Sequence, residues 1–401
     1  MSNLHQHLEK LADKTEKIII EINKRRIQEA ANIEKANDPK SRKAKKVSKP
    51  TLSASIYHEA NIISKNSPRS KYVHWLCKNM IVDFAQLRYF DEVMQNELQR
   101  FKLDPIAIPY YKNSFNNLKF DSNHHLAQAL DTIDRHKPSG MNERRLHKIY
   151  RFIVDMHLYS SKKFKKEKVK TYSEADFIIK FWGYIFESFF VETEFDTYWG
   201  DTLNEACKKE GLSLKLYFRL AIFSLSSSYD TATGEFAKKA TATKQFGDKL
   251  KSIIATKGVI NSMVKDCSLS SFEQITKLKF PIIQVMGFEA VVSVVRLVSP
   301  KLYTVHKVHE MNFPVNCKDL CLNKIGRIYE GLLMIENLAS DIKRAIEDTE
   351  IYEIPSKMDS IKKGVKIKKV KSCNWTTKLR WFDEEEFEEE EDDEDEDEDE
   401  D

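Results

Sequence analysis

The spacing of hydrophobic residues changes part-way along the chain, and this change restricts the fold more than any other feature. Residues 212–223 alternate Leu, Phe and Ile with Ser, Lys, Tyr and Arg, and a period of two predicts a half-buried β-strand. Elsewhere the apolar residues recur every three or four positions, which predicts helices at 177–190, 241–265 and 318–347. Two further β-rich runs lie on either side of a turn at 299–301. We therefore predict an α+β protein with an α/β core.

Shifts of pattern and composition divide the chain into seven segments. The first 160 residues show helical spacing only, and Gly and Pro are scarce, with 11 and 10 residues in 401, so an all-helical N-terminal region is predicted. The segments are, in order, an N-terminal helix with a short coiled-coil pattern (1–36), a basic linker (37–55), a helical region (56–160), a Lys-rich linker (161–172), the α/β domain (173–350), a basic linker (351–382) and a disordered acidic tail (383–401).

Charge is unevenly distributed along the chain. Of the nineteen residues 383–401, eighteen are Asp or Glu, and without them 65 basic residues face 44 acidic ones, a net charge of +21. Such a basic body is expected to bind polyanions, most commonly nucleic acid. The tail cannot bury apolar surface and is predicted to be disordered. It could cover a basic surface, bind a basic protein such as a histone, or serve only solubility.

Lysine and arginine clusters suggest where the protein acts. The first cluster lies between two prolines and is typical of a nuclear import signal; it consists of Lys40, Arg42, Lys43, Lys45, Lys46 and Lys49. A second cluster of six lysines lies between residues 162 and 170. No apolar stretch reaches the roughly 18 residues of a membrane span. We therefore expect an intracellular, nuclear protein with no membrane partner.

The polar stretch around and after the predicted strand contains the residue types used in phosphodiester cleavage. Walker A, GxGxxG, GxSxG and HExxH motifs are missing from the sequence. A Mg²⁺-dependent nuclease needs two or three carboxylates for the metal ion and a lysine that stabilises phosphate charge. The candidates are Glu187, Asp230, Glu235, Lys238 and Lys244. The polar face of the strand carries Lys215, Tyr217 and Arg219 but no carboxylate.

Three stretches carry a family resemblance: 173–182 (SEADFIIKFW), 234–238 (GEFAK) and 279–289 (KFPIIQVMGFE). They resemble an uncharacterised family expanded in early-diverging moulds, whose order of elements is similar to the PD-(D/E)XK nuclease fold. The resemblance implies a restriction-endonuclease-like mixed sheet flanked by helices. Relatives typically have Val-Asp-Leu-Arg where this chain has Leu-Tyr-Phe-Arg at 216–219. Because a neutral phenol is a poor Mg²⁺ ligand, the resemblance implies a degenerate site with Tyr217 at the aspartate position.

These features together predict a nucleic-acid-associated protein with an inactive nuclease-like core that binds the phosphate backbone non-specifically. The phosphate-binding candidates are Lys215, Arg219, Lys239 and Lys249. No cofactor is expected, except Mg²⁺ if the core is active. Two alternatives stay open. One is an active Mg²⁺-dependent endonuclease, and the other is an adaptor of the histone-chaperone type that acts through the acidic tail.

Overall fold

Seven strands form one mixed β-sheet in the computed structural model, which describes residues 51–223, 228–266, 272–363 and 375–381. The strands are β1 (Ile81–Asp83), β2 (Asp196–Leu203), β3 (Lys215–Phe223), β4 (Ser228–Ala237), β5 (Phe280–Met286), β6 (Glu289–Ser299) and β7 (Leu302–Asn312). Their order across the sheet is β1-β7-β6-β5-β4-β3-β2. The pairs β1–β7 and β4–β5 are parallel and the other four are antiparallel, so β4 is an internal strand.

Twelve α-helices accompany the sheet in the described ranges. They are α1 (Leu52–Glu59), α2 (Pro68–Lys78), α3 (Glu92–Gln99), α4 (Asn123–Arg135), α5 (Met141–Tyr159), α6 (Lys166–Lys170), α7 (Glu174–Phe177, a π-helical turn at Ile178–Trp182, then Gly183–Phe190), α8 (Glu205–Lys209), α9 (Ala242–Asp266), α10 (Phe272–Lys277), α11 (Cys317–Cys321) and α12 (Lys324–Lys363). Short 3₁₀ helices lie at Phe84–Tyr89 and Ser161–Phe164. None of the helices in these ranges has an apolar stretch long enough to cross a bilayer.

Helices cover both faces of the sheet. On one face, Phe186 of α7 packs against Phe218 of β3 with ring centroids 5.1 Å apart. Helix α12 joins α7 on this face, where Tyr329 meets Phe189 at 5.5 Å. On the other face, α9 lies against β4 and β5, and α2 packs beside α9. The sheet is therefore the middle of three layers, and most side chains of its internal strands are buried.

The start and the bend of helix α7 are explained by Ser173 and Gly183. The Ser173 hydroxyl accepts from the backbone N–H of Asp176 at 3.2 Å, and the Asp176 carboxylate accepts from the Ser173 N–H at 2.9 Å. This reciprocal capping box starts the helix at the serine that the sequence indicates. The π-helical turn is followed by Gly183, where an added Cβ would lie 2.8 Å from the carbonyl oxygen of Ile178. A larger residue would therefore displace the backbone at this bend.

The prediction of a mixed α/β protein with a helix-flanked sheet is confirmed, but the structure differs from two finer predictions. The region 56–160 is not all-helical, because β1 lies within it and pairs with β7. A three-residue strand is too short to show an alternating pattern. Residues 161–172, predicted as a linker, contain the 3₁₀ helix and α6 and pack on the core through Phe164 and Tyr172.

The last helix runs beyond the predicted end of the α/β domain. Helix α12 continues to Lys363, into the segment 351–382 that was predicted as a basic linker. The predicted helix at 1–36, most of the linker 37–55 and the acidic tail 383–401 lie outside the described residues.

Candidate functional site

Strand β4 is internal although its sequence is polar. The pattern SYDTATGEFA at Ser228–Ala237 favours a solvated loop, but residues 230–237 are buried in the sheet. Thr231 donates to the carbonyl oxygen of Leu220 at 3.0 Å, and Thr233 Oγ1 lies 2.9 Å from Thr256 Oγ1 of α9. The loop interpretation is therefore wrong. Partners from β3 and α9 satisfy the hydroxyl groups of both threonines, which allows this part of the strand to be buried.

Glu235 and Lys251 form the central contact of the candidate site. Glu235 is only 1% exposed, and Nζ of Lys251 on α9 lies 2.9 Å from its Oε2. Apart from Lys251, neither carboxylate oxygen has a polar partner among the described residues. Burial works to raise the pKa of Glu235, whereas the ammonium of Lys251 works to lower it and so favours the charged carboxylate. Burial alone would lower the pKa of Lys251, but the carboxyl groups of Glu235 and Asp248 raise it. Lys251 therefore stays charged.

Tyr217 lies beside Glu235 on the neighbouring strand. Phe218 of β3 pairs with Gly234 of β4, so Tyr217 and Glu235 are the next residues on the two antiparallel strands and share a face. Burial and the nearby carboxylate of Glu174, which accepts from the tyrosine hydroxyl, raise the pKa of Tyr217 to about 12. The phenol is therefore a neutral hydrogen-bond donor at neutral pH and not an anionic metal ligand.

Two further carboxyl groups surround this pair. Burial raises the pKa of Asp248 to about 6, while Lys251 and Lys244 oppose the shift. Lys244 is exposed, and its Nζ lies 3.8 Å from Oε1 of Glu174. Within the described ranges, no group of three or more His, Cys, Asp or Glu side chains is placed to hold a metal ion. The carboxylate of Glu235 is already paired with the ammonium of Lys251, which weakens its attraction for Mg²⁺.

Asp230 belongs to a separate buried contact. Arg219 Nε donates to Asp230 Oδ1 at 3.2 Å, and Asn204 Nδ2 donates to the other carboxylate oxygen at 2.5 Å. Burial raises the pKa of Asp230 to about 6, although Arg219 opposes this. Both Asp230 and Arg219 are buried. The predictions of Asp230 as a metal ligand beside Glu235 and of Arg219 as a phosphate ligand do not fit this placement.

Glu187 lies on the opposite face of the sheet from Glu235. Its carboxylate accepts from Thr197 Oγ1 at 2.6 Å and from the indole N–H of Trp199, so it connects α7 to β2. The aromatic ring of Trp199 contacts Phe236 on this α7 face, whereas Glu235 faces α9. The assignment of Glu187 to the same catalytic cluster is therefore wrong.

Lys249, also on α9, forms an ion pair with Asp83. Its Nζ lies 2.6 Å from Oδ2 of Asp83 on β1, which also accepts from the Tyr72 hydroxyl at 2.7 Å. Burial works to raise the pKa of Asp83, but Lys249 and Tyr72 hold it below its ordinary value. Because the ammonium of Lys249 is paired with the buried carboxylate of Asp83, it is not available for a phosphate.

The remaining predicted lysines are accessible. Lys215 at the start of β3 and Lys238 and Lys239 after the end of β4 are exposed. Because β3 and β4 are antiparallel, these three positions lie at the same end of the sheet. They stay candidates for phosphate contacts.

Lys251 is the site residue that the sequence analysis did not select. It follows Asp248 by three positions, so both lie on one face of the predicted helix 241–265. That spacing is visible in the sequence. Which face of the helix meets Glu235 is decided only when α9 packs on β4.

Comparison of the chain with protein-family models, with curated proteins and with solved structures finds no match.

Proposed function

We propose that this chain is a nucleic-acid-associated protein whose restriction-endonuclease-like core does not cleave. The order α7, β2, α8, β3, β4, α9, α10, β5 supports such a core, in which β2, β3 and β4 pair antiparallel and β5 is parallel to β4. A fold alone does not carry a function. The residues at the carboxyl end of β4 determine whether this core can cleave.

One observation carries the proposal of an inactive core. The Lys251 ammonium lies 2.9 Å from the Glu235 carboxylate, so the negative charge that would attract a metal ion is already paired. Tyr217 occupies the position at which the resemblance implies an aspartate. A carboxylate already paired with a buried cation attracts Mg²⁺ weakly, and a neutral phenol adds no charge. A phosphodiester bound nearby would meet no metal-activated water.

Charge supports nucleic acid as the partner. The chain outside the tail carries a net charge of +21, and a strongly basic protein binds polyanions through counterion release. Lys215, Lys238 and Lys239 are exposed and can approach phosphate oxygens. Contacts of this kind position a backbone and carry no sequence information, so binding is non-specific.

We also propose that the protein acts in the nucleus. This rests on the basic cluster between Pro39 and Pro50, which lies outside the described residues. Short basic runs of this type are read as import signals.

The proposal is tested by binding and cleavage in one assay. The full chain and its Glu235→Gln variant are titrated with a fluorescent DNA duplex and with a single strand, at about 50 and about 200 mM salt, with and without Mg²⁺. The nucleic acid is then examined for strand breaks. We expect both proteins to bind equally, more weakly at the higher salt concentration, and to leave the nucleic acid intact.

Two results would contradict the proposal. Mg²⁺-dependent cleavage that Glu235→Gln abolishes would make the chain an active endonuclease. Absent or salt-independent binding would favour the adaptor that acts through its acidic tail.

A further inference from the structure

Two short helical turns hold an array of lysines at the surface. These are the 3₁₀ helix at Ser161–Phe164 and α6. The exposed members are Lys162, Lys165, Lys166, Lys168 and Lys170. Glu167 is the single acidic residue among positions 161–172. The segment therefore concentrates positive charge within a few helical turns.

Two aromatic side chains fix this segment to the core. Phe164 stacks on His157 of α5, with ring centroids 4.6 Å apart and an interplanar angle of 18°. The Tyr172 hydroxyl donates to the carbonyl oxygen of Lys163 at 3.1 Å, and its ring lies 5.8 Å from that of Phe177 on α7. Because the backbone is already ordered, binding of a ligand to these lysines would cost only the conformational entropy of their side chains.

Lys238 and Lys239 extend the array from the end of β4. A Cβ added at Gly287 would lie 3.0 Å from the carbonyl oxygen of Lys238 and 3.6 Å from the ring of Phe177. Phe177 in turn contacts Tyr172. The end of β4 and the segment 161–172 therefore lie on either side of the start of α7. We call these seven exposed lysines the lysine ledge.

The lysine ledge differs from the lysines of the candidate site in its lack of carboxylate partners among the described residues. None of its seven ammonium groups forms an ion pair within the part of the chain that the structure describes. Lys249 and Lys251, by contrast, are paired with buried carboxylates. Closely spaced unpaired cations create a positive potential that attracts a polyanion.

We propose that the lysine ledge is the surface that binds the sugar-phosphate backbone of nucleic acid; this inference rests on the proposed function and names its interface. Lysine binds phosphate as a point charge, and contacts to phosphate carry no sequence information, which matches binding without sequence preference. The start of α7 between the two parts of the ledge also supplies Glu174 to the degenerate site. A strand on the ledge therefore lies beside that site.

The test compares two variants of the full chain with equal loss of charge. The ledge variant combines Lys162→Gln, Lys166→Gln, Lys170→Gln and Lys239→Gln. The control variant combines Lys102→Gln, Lys112→Gln, Lys119→Gln and Lys137→Gln, which are exposed lysines outside the ledge and without ion pairs among the described residues. Affinity for a DNA duplex is measured over a series of salt concentrations, and unfolding temperatures verify that both variants are folded.

We expect the ledge variant to bind about tenfold more weakly or worse and to lose about 0.9 from the salt-dependence slope for each phosphate contact removed. The control variant should keep the slope of the unsubstituted chain.

If the unsubstituted chain binds but the two variants lose the same affinity, the ledge is not the interface and the proposed function stands. If the unsubstituted chain does not bind, the proposed function itself is overturned. If the ledge variant no longer binds vesicles of anionic phospholipid but still binds DNA normally, the ledge is not a nucleic-acid surface.

Discussion

Glu235 shows how a single buried carboxyl group depends on a residue from another element. It lies on an internal strand at 1% exposure, and Lys251 supplies the neighbouring positive charge. Breaking a buried ion pair from one side is costly because an uncompensated charge stays behind, whereas replacing both partners can be neutral. The pair therefore contributes more to defining the site than to overall stability.

We predict that Lys251→Met lowers the free energy of unfolding by about 3 kcal/mol, and that adding Glu235→Gln recovers most of the loss. The matched control is Lys244→Met on the same helix, which is exposed and should change stability by less than about 0.5 kcal/mol. Urea unfolding of the four proteins measures these values. Equal stability of the two lysine variants would show that the pair is not energetically coupled.

At the scale of elements, the segment 375–381 is held by its backbone. Asn261 Nδ2 donates to the carbonyl oxygen of Thr377 at 2.7 Å, and Lys257 Nζ donates to that of Lys378 at 3.0 Å. Asn79 Nδ2 donates to the carbonyl oxygen of Arg380 at 2.9 Å. Lys257 is fully buried, and burial lowers its pKa well below the ordinary value. Its other acceptors are both on Asn79, so this segment completes the polar contacts of α9.

A chain ending at residue 374 should therefore be less stable by about 3 kcal/mol, because a buried Lys257 and two asparagine amides lose acceptors. A chain ending at residue 382 keeps the segment 375–381 and serves as the control. Thermal unfolding of both proteins measures the difference. In the shorter chain, Lys257→Met should restore part of the stability, and no effect of that substitution would contradict this explanation.

At the scale of the whole molecule, the basic body and the acidic tail carry opposite charges. The body carries +21 and the tail 383–401 carries eighteen acidic residues. On the proposal that the body binds nucleic acid, a tethered polyanion would compete for the same lysines at a high effective concentration. The tail is therefore expected to weaken binding in a manner that depends on salt.

Removing residues 383–401 should tighten duplex binding by about tenfold at low salt, and the gain should shrink as salt screens both contacts. A chain whose tail has Asn and Gln in place of Asp and Glu separates charge from length and should behave like the truncated chain. Fluorescence titration measures all three proteins. Unchanged or weaker binding after truncation would exclude competition by the tail.

Strongly periodic segments could be predicted from the sequence. The alternation at 212–223 predicted β3, and the helical spacing at 241–265 predicted α9, because burial on one side imposes the period of the element on the sequence. β1 and β4 could not be predicted in this way. β1 has only three residues. The polar residues of β4 find their partners on β3 and α9, which the sequence pattern does not reveal.

The amino-acid sequence by itself determined the class of fold, the cap of α7 at Ser173 and the opposed charges of body and tail, because these depend on local pattern and composition. Tertiary structure alone decided which charges are available. It paired Lys251 with Glu235, Arg219 with Asp230 and Lys249 with Asp83, and it left the lysine ledge exposed. Such pairs join residues of different elements, and a charge is neutralised or free only through what packing places beside it.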